Sequence, residues 1–266
     1  MTIQKRIKAL IHGIPVLGPT ALKCILKISD STDLYYGPED FYASIPKPLV
    51  VHSQEKDQNR FYLAFENVFR GDEHEISRRQ SVYLQYIRQK QVAGGNGELF
   101  LDVGCGRGEF LKILKQARIP AKGLEINEIE QKELQTQGLD VERHDVISYL
   151  STTPKNFSGI SALQVIEHLK TDELSDFIRL AFARLEKGSP IIIETVNPKC
   201  SLALANFYLD PTHKRPYPPE LLQFILEWNG FTDVSILFSA KCPKDLCVKS
   251  HISHNYMDYA AIGWKR

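Results

Sequence analysis

Between Asn206 and Leu222 the sequence reads NFYLDPTHKRPYPPELL, which sets an acid, a histidine and two basic residues among two tyrosines and four prolines. A histidine titrates near neutrality and is suited to take a proton from a hydroxyl nucleophile. His213 has that chemistry, and Asp210, three residues earlier, could orient its ring. His168, in VIEHL, is the second candidate base. Lys214 and Arg215 could hold a phosphate or carboxylate, the arginine as a two-pronged fork, and Tyr208 offers a further hydroxyl. Pro211, Pro216, Pro218 and Pro219 fix their own φ and restrict the residue before each, so the segment is stiff at low entropic cost. A stiff polar loop is a rigid connector or a site, and His213 could equally be a loop histidine that caps backbone groups.

A second group of residues lies upstream. LDVGCGRGEF spaces Gly104, Gly106 and Gly108 two apart, where the lack of a Cβ permits a tight turn and lets a ligand approach the backbone. Acids stand on both sides of it, Asp102 before and Glu109 after. A dinucleotide pyrophosphate would be repelled by a carboxylate at the helix start it needs, whereas a ligand carrying ammonium and sulfonium groups would be welcomed. Glu125, in GLEIN, can accept from both hydroxyls of a ribose, and Asp145, in RHDVI, can accept from an adenine amino group or serve as a helix cap.

The elements that must carry these groups begin near residue 97. ELFLDVGC, AKGLEI, ISALQVI and PIIIET read as buried strands, and GEFLKILKQA, NEIEQKELQTQG, TDELSDFIRLAFARLEKG and PPELLQFILEWNG as amphipathic helices between or after them. Asn127 and Pro219 mark helix starts, and Gly138 and Gly230 helix ends. TDVSILFS and MDYAAIG close the chain as strands. Alternating units of this kind predict an α/β, doubly wound, mostly parallel sheet with ligands beyond the carboxyl ends of its strands. Residues 93–266 form this domain. Residues 59–92 carry two aromatic helical faces broken at Gly71, a helical lid or cap over a site or a layer on the sheet, and residues 1–58 are an amphipathic and linker extension.

With these residues in place the chain resembles the class I S-adenosylmethionine-dependent methyltransferases over about residues 97–263. LDVGCGRG matches the first motif, GLEIN the acidic second, HDV the third, ALQVIEHL the fourth strand, and LEKGSPIIIET the turn and fifth strand. The resemblance implies a seven-stranded Rossmann-like sheet in which DYAAIG enters antiparallel between the fifth and sixth strands. It implies S-adenosylmethionine as cofactor, held by Asp102, Gly104, Cys105, Gly106, Gly108, Glu125, Ile126, Asp145, Val146 and Gln164. FENVFRG upstream and FYLDPTHKRPYPPELL downstream look like a group of these enzymes associated with bacterial O-antigen and other surface polysaccharides. That narrower likeness implies O-methylation of a sugar hydroxyl or sugar-linked phosphate, with Tyr208, Lys214, Arg215, Asn197, Arg70 and Tyr83 at the acceptor. N- or C-methylation of another small molecule, or a non-catalytic cofactor-binding role in a pathway, are the alternatives. A dinucleotide oxidoreductase is disfavoured by the acids around the glycines.

Composition narrows the setting. Lys and Arg number 33 against 32 Asp and Glu in 266 residues, so no overall field draws nucleic acid, and no nucleic-acid partner is expected. The five cysteines are scattered without a C-x-x-C pair, which fits a reducing cytoplasmic compartment. His251 and His254, in HISH, could join His213 and Asp210 about a metal, but spacing in an irregular stretch is poor support and methyl transfer from a sulfonium needs no metal. No metal is expected. Residues 1–28 are basic and amphipathic without a transmembrane run, so they could rest peripherally on the inner membrane face, dock a glycosyltransferase, or cover the domain's own apolar surface.

Overall fold

The computed structural model of the protein describes residues 33–36, 42–45, 57–87, 99–249 and 251–266. The basic segment 1–28 lies outside them. Within the stretch read as linker, β1 (Asp33–Tyr36) pairs antiparallel with β2 (Tyr42–Ile45). α1 (Gln58–Phe69) and α2 (Glu73–Gln80) follow, separated at Gly71, and each starts on an aspartate, Asp57 and Asp72, that accepts from the free amides of its first turn.

The main sheet has seven strands in the order β5-β4-β3-β6-β7-β9-β8. They are β3 (Phe100–Val103), β4 (Ala121–Glu125), β5 (Val141–Arg143), β6 (Gly159–Leu163), β7 (Ser189–Val196), β8 (Thr232–Lys241) and β9 (Tyr256–Lys265). β3 pairs in parallel with β4 on one side and β6 on the other, and β9 runs antiparallel between β7 and β8. The expected sheet, with its antiparallel last strand, is the observed one. Strand order reverses direction about β3, and that reversal opens a crevice past its carboxyl end.

The helices are α3 (Glu109–Gln116), α4 (Glu128–Thr136), α5 (Val146–Thr152), α6 (Thr171–Arg184), α7 (Ser201–Phe207) and α8 (Pro219–Trp228). Because side chains alternate across a strand, two cores arise from one sheet. Leu101, Val103, Ile191, Ile193, Tyr259 and Ala261 enter a core with Leu174, Phe177 and Ile178 of α6 and Leu222 and Leu226 of α8. Phe100, Ile192, Ala260 and Ile262 face the opposite way, toward Phe110, Leu111 and Leu114 of α3, Leu134 of α4, and Tyr83. Each fully buried side chain of this size contributes about 1.5–3 kcal/mol. A strand buried on both faces must be apolar along its length, which is why PIIIE is nearly continuous. No helix among the described residues is long and apolar enough to cross a membrane.

Candidate active site

The turn after β3 takes left-handed backbone at Gly104 (φ 60°) and Gly106 (φ 49°). A Cβ on Gly104 would lie 2.6 Å from Val165 Cγ2, and one on Gly106 2.4 Å from Nη1 of Arg70, so conformation favours glycine at both and a side chain at Gly106 would have to displace the Arg70 guanidinium. Glu125, at the end of β4, accepts the Gly106 amide on Oε2 at 2.8 Å and the Asn127 amide on Oε1 at 2.9 Å. Burial raises its pKa, and the two amides pull the other way. Both oxygens keep a further lone pair for a ligand hydroxyl.

This turn is one wall of a cavity of about 840 Å³. Gly104, Gly106, Glu125, Ile126, Asp145, Val146 and Gln164, seven of the ten residues named from the sequence, line it. Asp145 is also a helix cap, since its Oδ1 accepts the Ser148 amide at 2.9 Å. The remaining three residues of that set support the turn from behind. Asp102 is 2% exposed and accepts the Ser161 hydroxyl at 2.6 Å, and burial lifts its carboxyl to about 7. Cys105 is buried beneath β4, and Gly108 (φ 75°) starts α3. Residues the sequence reading did not assign to a site also line it, among them Tyr62, Glu66, Asn127 and Glu130. Burial and the neighbouring Glu66 push the Glu130 carboxyl up to about 9. Beyond the reading of residues 59–92 as a lid, the signal in sequence was an acid, Glu66, on the face that carries Tyr62 and Phe69. Glycines in left-handed turns, carboxylates facing ribose-sized space and an excess of acids make a cradle that fits S-adenosylmethionine, whose amino acid end carries an ammonium group.

A smaller cavity of about 260 Å³ adjoins the first and shares Tyr62, Glu66, Arg70, Gln164 and His168 with it. Asp210 and His213 from the proline-rich loop form part of its wall. Asp210 accepts the Tyr62 hydroxyl at 3.2 Å on Oδ2, and both the amide (2.7 Å) and the hydroxyl (2.6 Å) of Thr212 on Oδ1. Thr212 Oγ1 also lies 2.8 Å from Nδ1 of His168. Its one proton goes to Asp210, so Nδ1–H of His168 donates to it and Nε2 of His168 keeps a lone pair. His213 is oriented by the Phe207 carbonyl, to which its Nδ1–H donates at 2.7 Å, rather than by Asp210, whose Oδ2 is 3.9 Å from Nε2. Each ring thus commits Nδ1 and leaves Nε2 without a hydrogen bond among the described residues, with centroids 4.7 Å apart. Burial, then the neighbouring His213, brings His168 down to about 4, and burial lowers His213 as well.

The other expected acceptor residues are distributed differently. Arg70 lines both cavities but is bound to Glu66 at 2.7 Å and faces Glu109 at 3.5 Å. Burial works against its charge, and these two acids more than offset it. Lys214 reaches the larger cavity and pairs with Glu173 at 3.2 Å. Arg215 donates to Thr171 and lies over the Tyr217 ring, away from both cavities. Tyr208 is 75% exposed at the end of α7. Asn197 is fully buried and donates to the Ser253 and Tyr256 carbonyls at 2.8 Å each. Tyr83 is fully buried, and its hydroxyl donates to Glu194, which itself lines the smaller cavity. The structure therefore does not bring Tyr208, Arg215, Asn197 or Tyr83 to the place where an acceptor would sit.

In their stead the smaller cavity is walled by Arg79, Gln80, Glu167, Glu194, Asn206 and Asp258. Among the described residues, Glu66 Oε2, Arg79 Nε, Gln80 Oε1, Glu167 Oε1 and Asn206 Oδ1 are buried without a hydrogen-bond partner, and all five residues line this cavity. Such groups cost free energy unless a ligand or water meets them.

The profile of the methyltransferase domain family matches residues 75–236. An S-adenosylmethionine-dependent methyltransferase from Archaeoglobus fulgidus is 33% identical, with 77% of this chain and 100% of that one aligned at a TM-score of 0.69. Magnesium protoporphyrin IX methyltransferase from Synechocystis, solved with bound S-adenosylhomocysteine, is similar in fold at 19% identity, 78% and 96% coverage and a TM-score of 0.55. So is a possible histamine N-methyltransferase from Thermotoga maritima, at 20% identity, 78% and 97% coverage and 0.54. Among curated proteins none matches the chain. Sheet order, glycine turn, acids at the strand ends and the family match agree, and the chain belongs to the class I S-adenosylmethionine-dependent methyltransferases.

Proposed function

We propose that the protein methylates a hydroxyl of a polyhydroxylated acceptor, a sugar unit in glycan or surface-polysaccharide biosynthesis. The observation that carries this reading is the set of five unpartnered polar groups around a cavity of about 260 Å³. A ring bearing several hydroxyls can donate to Glu66, Gln80, Glu167 and Asn206 and accept from Arg79, and each hydrogen bond to a charged group contributes about 1.5–3 kcal/mol. The wall holds five carboxylates, of Glu66, Glu167, Glu194, Asp210 and Asp258, against two guanidinium groups. Burial lifts Glu167 to about 8 and Asp258 to about 7, so near neutrality much of this wall is uncharged and suits hydroxyl groups, while the ionised acids that remain disfavour a phosphate.

The bound cofactor supplies an electrophilic methyl group on a sulfonium. In the larger cavity Glu125 would accept from the ribose hydroxyls, and Asp145 with the Val146 amide would meet the adenine edge beside Ile126. Tyr62, Gln164 and His168, common to both cavities, would stand between donor and acceptor. The acceptor oxygen must be held in line with the bond that breaks, and it gains nucleophilicity as its proton leaves. Nε2 of His213 takes that proton, with Nε2 of His168 beside it, and the Phe207 carbonyl and Thr212 hold the two rings.

The same carboxylates favour a second reading, in which the acceptor is a cationic amine. Incubation with methyl-labelled S-adenosylmethionine and fractionated source-cell extract distinguishes the two. Label in the free or lipid-linked glycan fraction, lost in His213→Ala, supports the sugar reading, and label in an amine fraction replaces it. Residues 1–28, outside the described residues, are proposed to bring the enzyme to a membrane face or a glycosyltransferase that presents the acceptor.

A further inference from the structure

We infer that Glu167, His168 and His213 form a binding site for a divalent transition-metal cation on the wall of the smaller cavity. The inference deepens the proposed function and rests on it for the cation's role, though not for its binding. One ligand atom from each of the three residues lies within 4.8 Å of the other two. A tetrahedral cation with bonds near 2.1 Å wants its ligands about 3.4 Å apart, a difference that side-chain rotation covers.

Four independent details support the assignment. Glu167 is 1% exposed, and its Oε1 has no hydrogen-bond partner among the described residues, while Oε2 is fixed by the Thr195 hydroxyl at 2.9 Å. His168 spends Nδ1–H on Thr212, and behind Thr212 stands the Asp210 carboxylate. His213 spends Nδ1–H on the Phe207 carbonyl. The rings meet with both Nε2 lone pairs unspent, 4.7 Å between centroids. A metal-binding histidine commonly donates its other N–H to a carboxylate or a backbone carbonyl, which fixes the tautomer and leaves the lone pair for the ion. Without a cation, Glu167 Oε1 has no hydrogen-bond partner among the described residues, and the Asp210 carboxylate stands 3.9 Å from His213 Nε2, too far for a hydrogen bond.

The donor set selects the ion. Two imidazoles and one carboxylate suit Zn²⁺, Mn²⁺, Co²⁺ or Fe²⁺, whereas Mg²⁺ and Ca²⁺ prefer oxygen donors. Three protein ligands leave positions open toward the cavity, and an acceptor hydroxyl can fill one of them. Held by Glu167, His168 and His213, such a cation would fix the oxygen and make its proton more acidic. As the new O–CH₃ bond forms and the C–S bond breaks, the electron pair stays on sulfur, and the hydroxyl proton passes to water at the cavity mouth. This route replaces the one in which Nε2 of His213 takes the proton: with a cation bound, the two histidines would be ligands and would act on the hydroxyl through the ion.

The test uses the full-length chain, freed of metal by a chelator and titrated with Co²⁺ while its visible absorption is followed, with Zn²⁺ binding measured in parallel by calorimetry. One equivalent should bind, with absorption typical of nitrogen and oxygen ligands. Glu167→Gln and His213→Ala should each weaken binding at least tenfold, while S-adenosylhomocysteine affinity and melting temperature show that both variants remain folded. Co²⁺ or Zn²⁺ binding that is absent, or equal in wild type and both variants, overturns the site. Methyl transfer unaffected by the chelator would overturn the cation's role and leave the proposed function standing. Stoichiometric metal with no methylation of any hydroxyl acceptor would keep the site and sink the proposed function instead.

Discussion

The Thr212 hydroxyl lies 2.8 Å from Nδ1 of His168, and through it the Asp210 carboxylate reaches that ring. Thr212 is thus a positioning residue for His168. Replacement of Thr212 by valine keeps the shape and removes the link, and we expect kcat to fall about tenfold with little change in the cofactor's KM. Thr212→Ser should restore most of the rate. A purely structural role would instead lower the melting temperature of both variants alike.

Glu125 binds the glycine turn through the Gly106 amide and faces the larger cavity. Glu125→Ala should raise the dissociation constant for S-adenosylhomocysteine by about 10- to 100-fold, the worth of one or two hydrogen bonds to a charged group. Calorimetric titration checks this, and unchanged affinity would remove Glu125 from the cofactor site.

Gly106→Ala tests the turn differently. Its left-handed φ of 49° costs a side chain about 1–2 kcal/mol, and the added methyl meets Nη1 of Arg70. The variant should melt at a lower temperature and gain less from added S-adenosylhomocysteine than wild type does. Thermal shift with and without the ligand measures both quantities.

Asp102 gives the fold a pH dependence of definite sign. Burial holds its folded pKa at about 7, opposed by the Ser161 hydroxyl, against about 4 in an unfolded chain. The folded state therefore binds the extra proton, and this contribution to stability is complete below about pH 4 and lost as pH rises through about 7. Its slope is at most about 1.4 kcal/mol per pH unit. Denaturant melts between pH 5 and 8 should show Asp102→Asn with the shallower decline.

Tyr83 donates to Glu194 of β7 from full burial. Tyr83→Phe leaves a buried carboxylate one donor short and should cost about 1–3 kcal/mol. Urea unfolding is the measurement, and a loss below a few tenths of a kcal/mol would mean that another group supports Glu194.

Much of this arrangement is legible in the chain because it follows local rules. Acids at Glu125 and Asp145 stand where strands end and helices begin, and Asn127, Pro219 and Gly230 punctuate helices as their side chains and φ angles require. α5 and α7 do not show in the pattern, since seven residues give fewer than two turns of periodicity. Orientation around the proline-rich loop is also invisible. Lys214 and Arg215 follow His213 directly, yet their amides bind the Glu167 carbonyl and their side chains turn to Glu173 and Thr171. The meeting of Glu167, His168 and His213 depends on β6 and the loop after α7 arriving at one place, which spacing along the chain does not encode. HISH, the cluster that spacing did suggest, holds itself together through His251 and Ser253.

Arg70 and Gln164 belong to the walls of both cavities, so neither room can be filled without touching the other's boundary. Donor and acceptor should therefore bind with a coupling free energy, and linkage requires that each change the other's affinity by the same factor. Transfer of the methyl group removes the sulfonium charge, so the spent cofactor would be held by the acids of the larger cavity less tightly than the charged one.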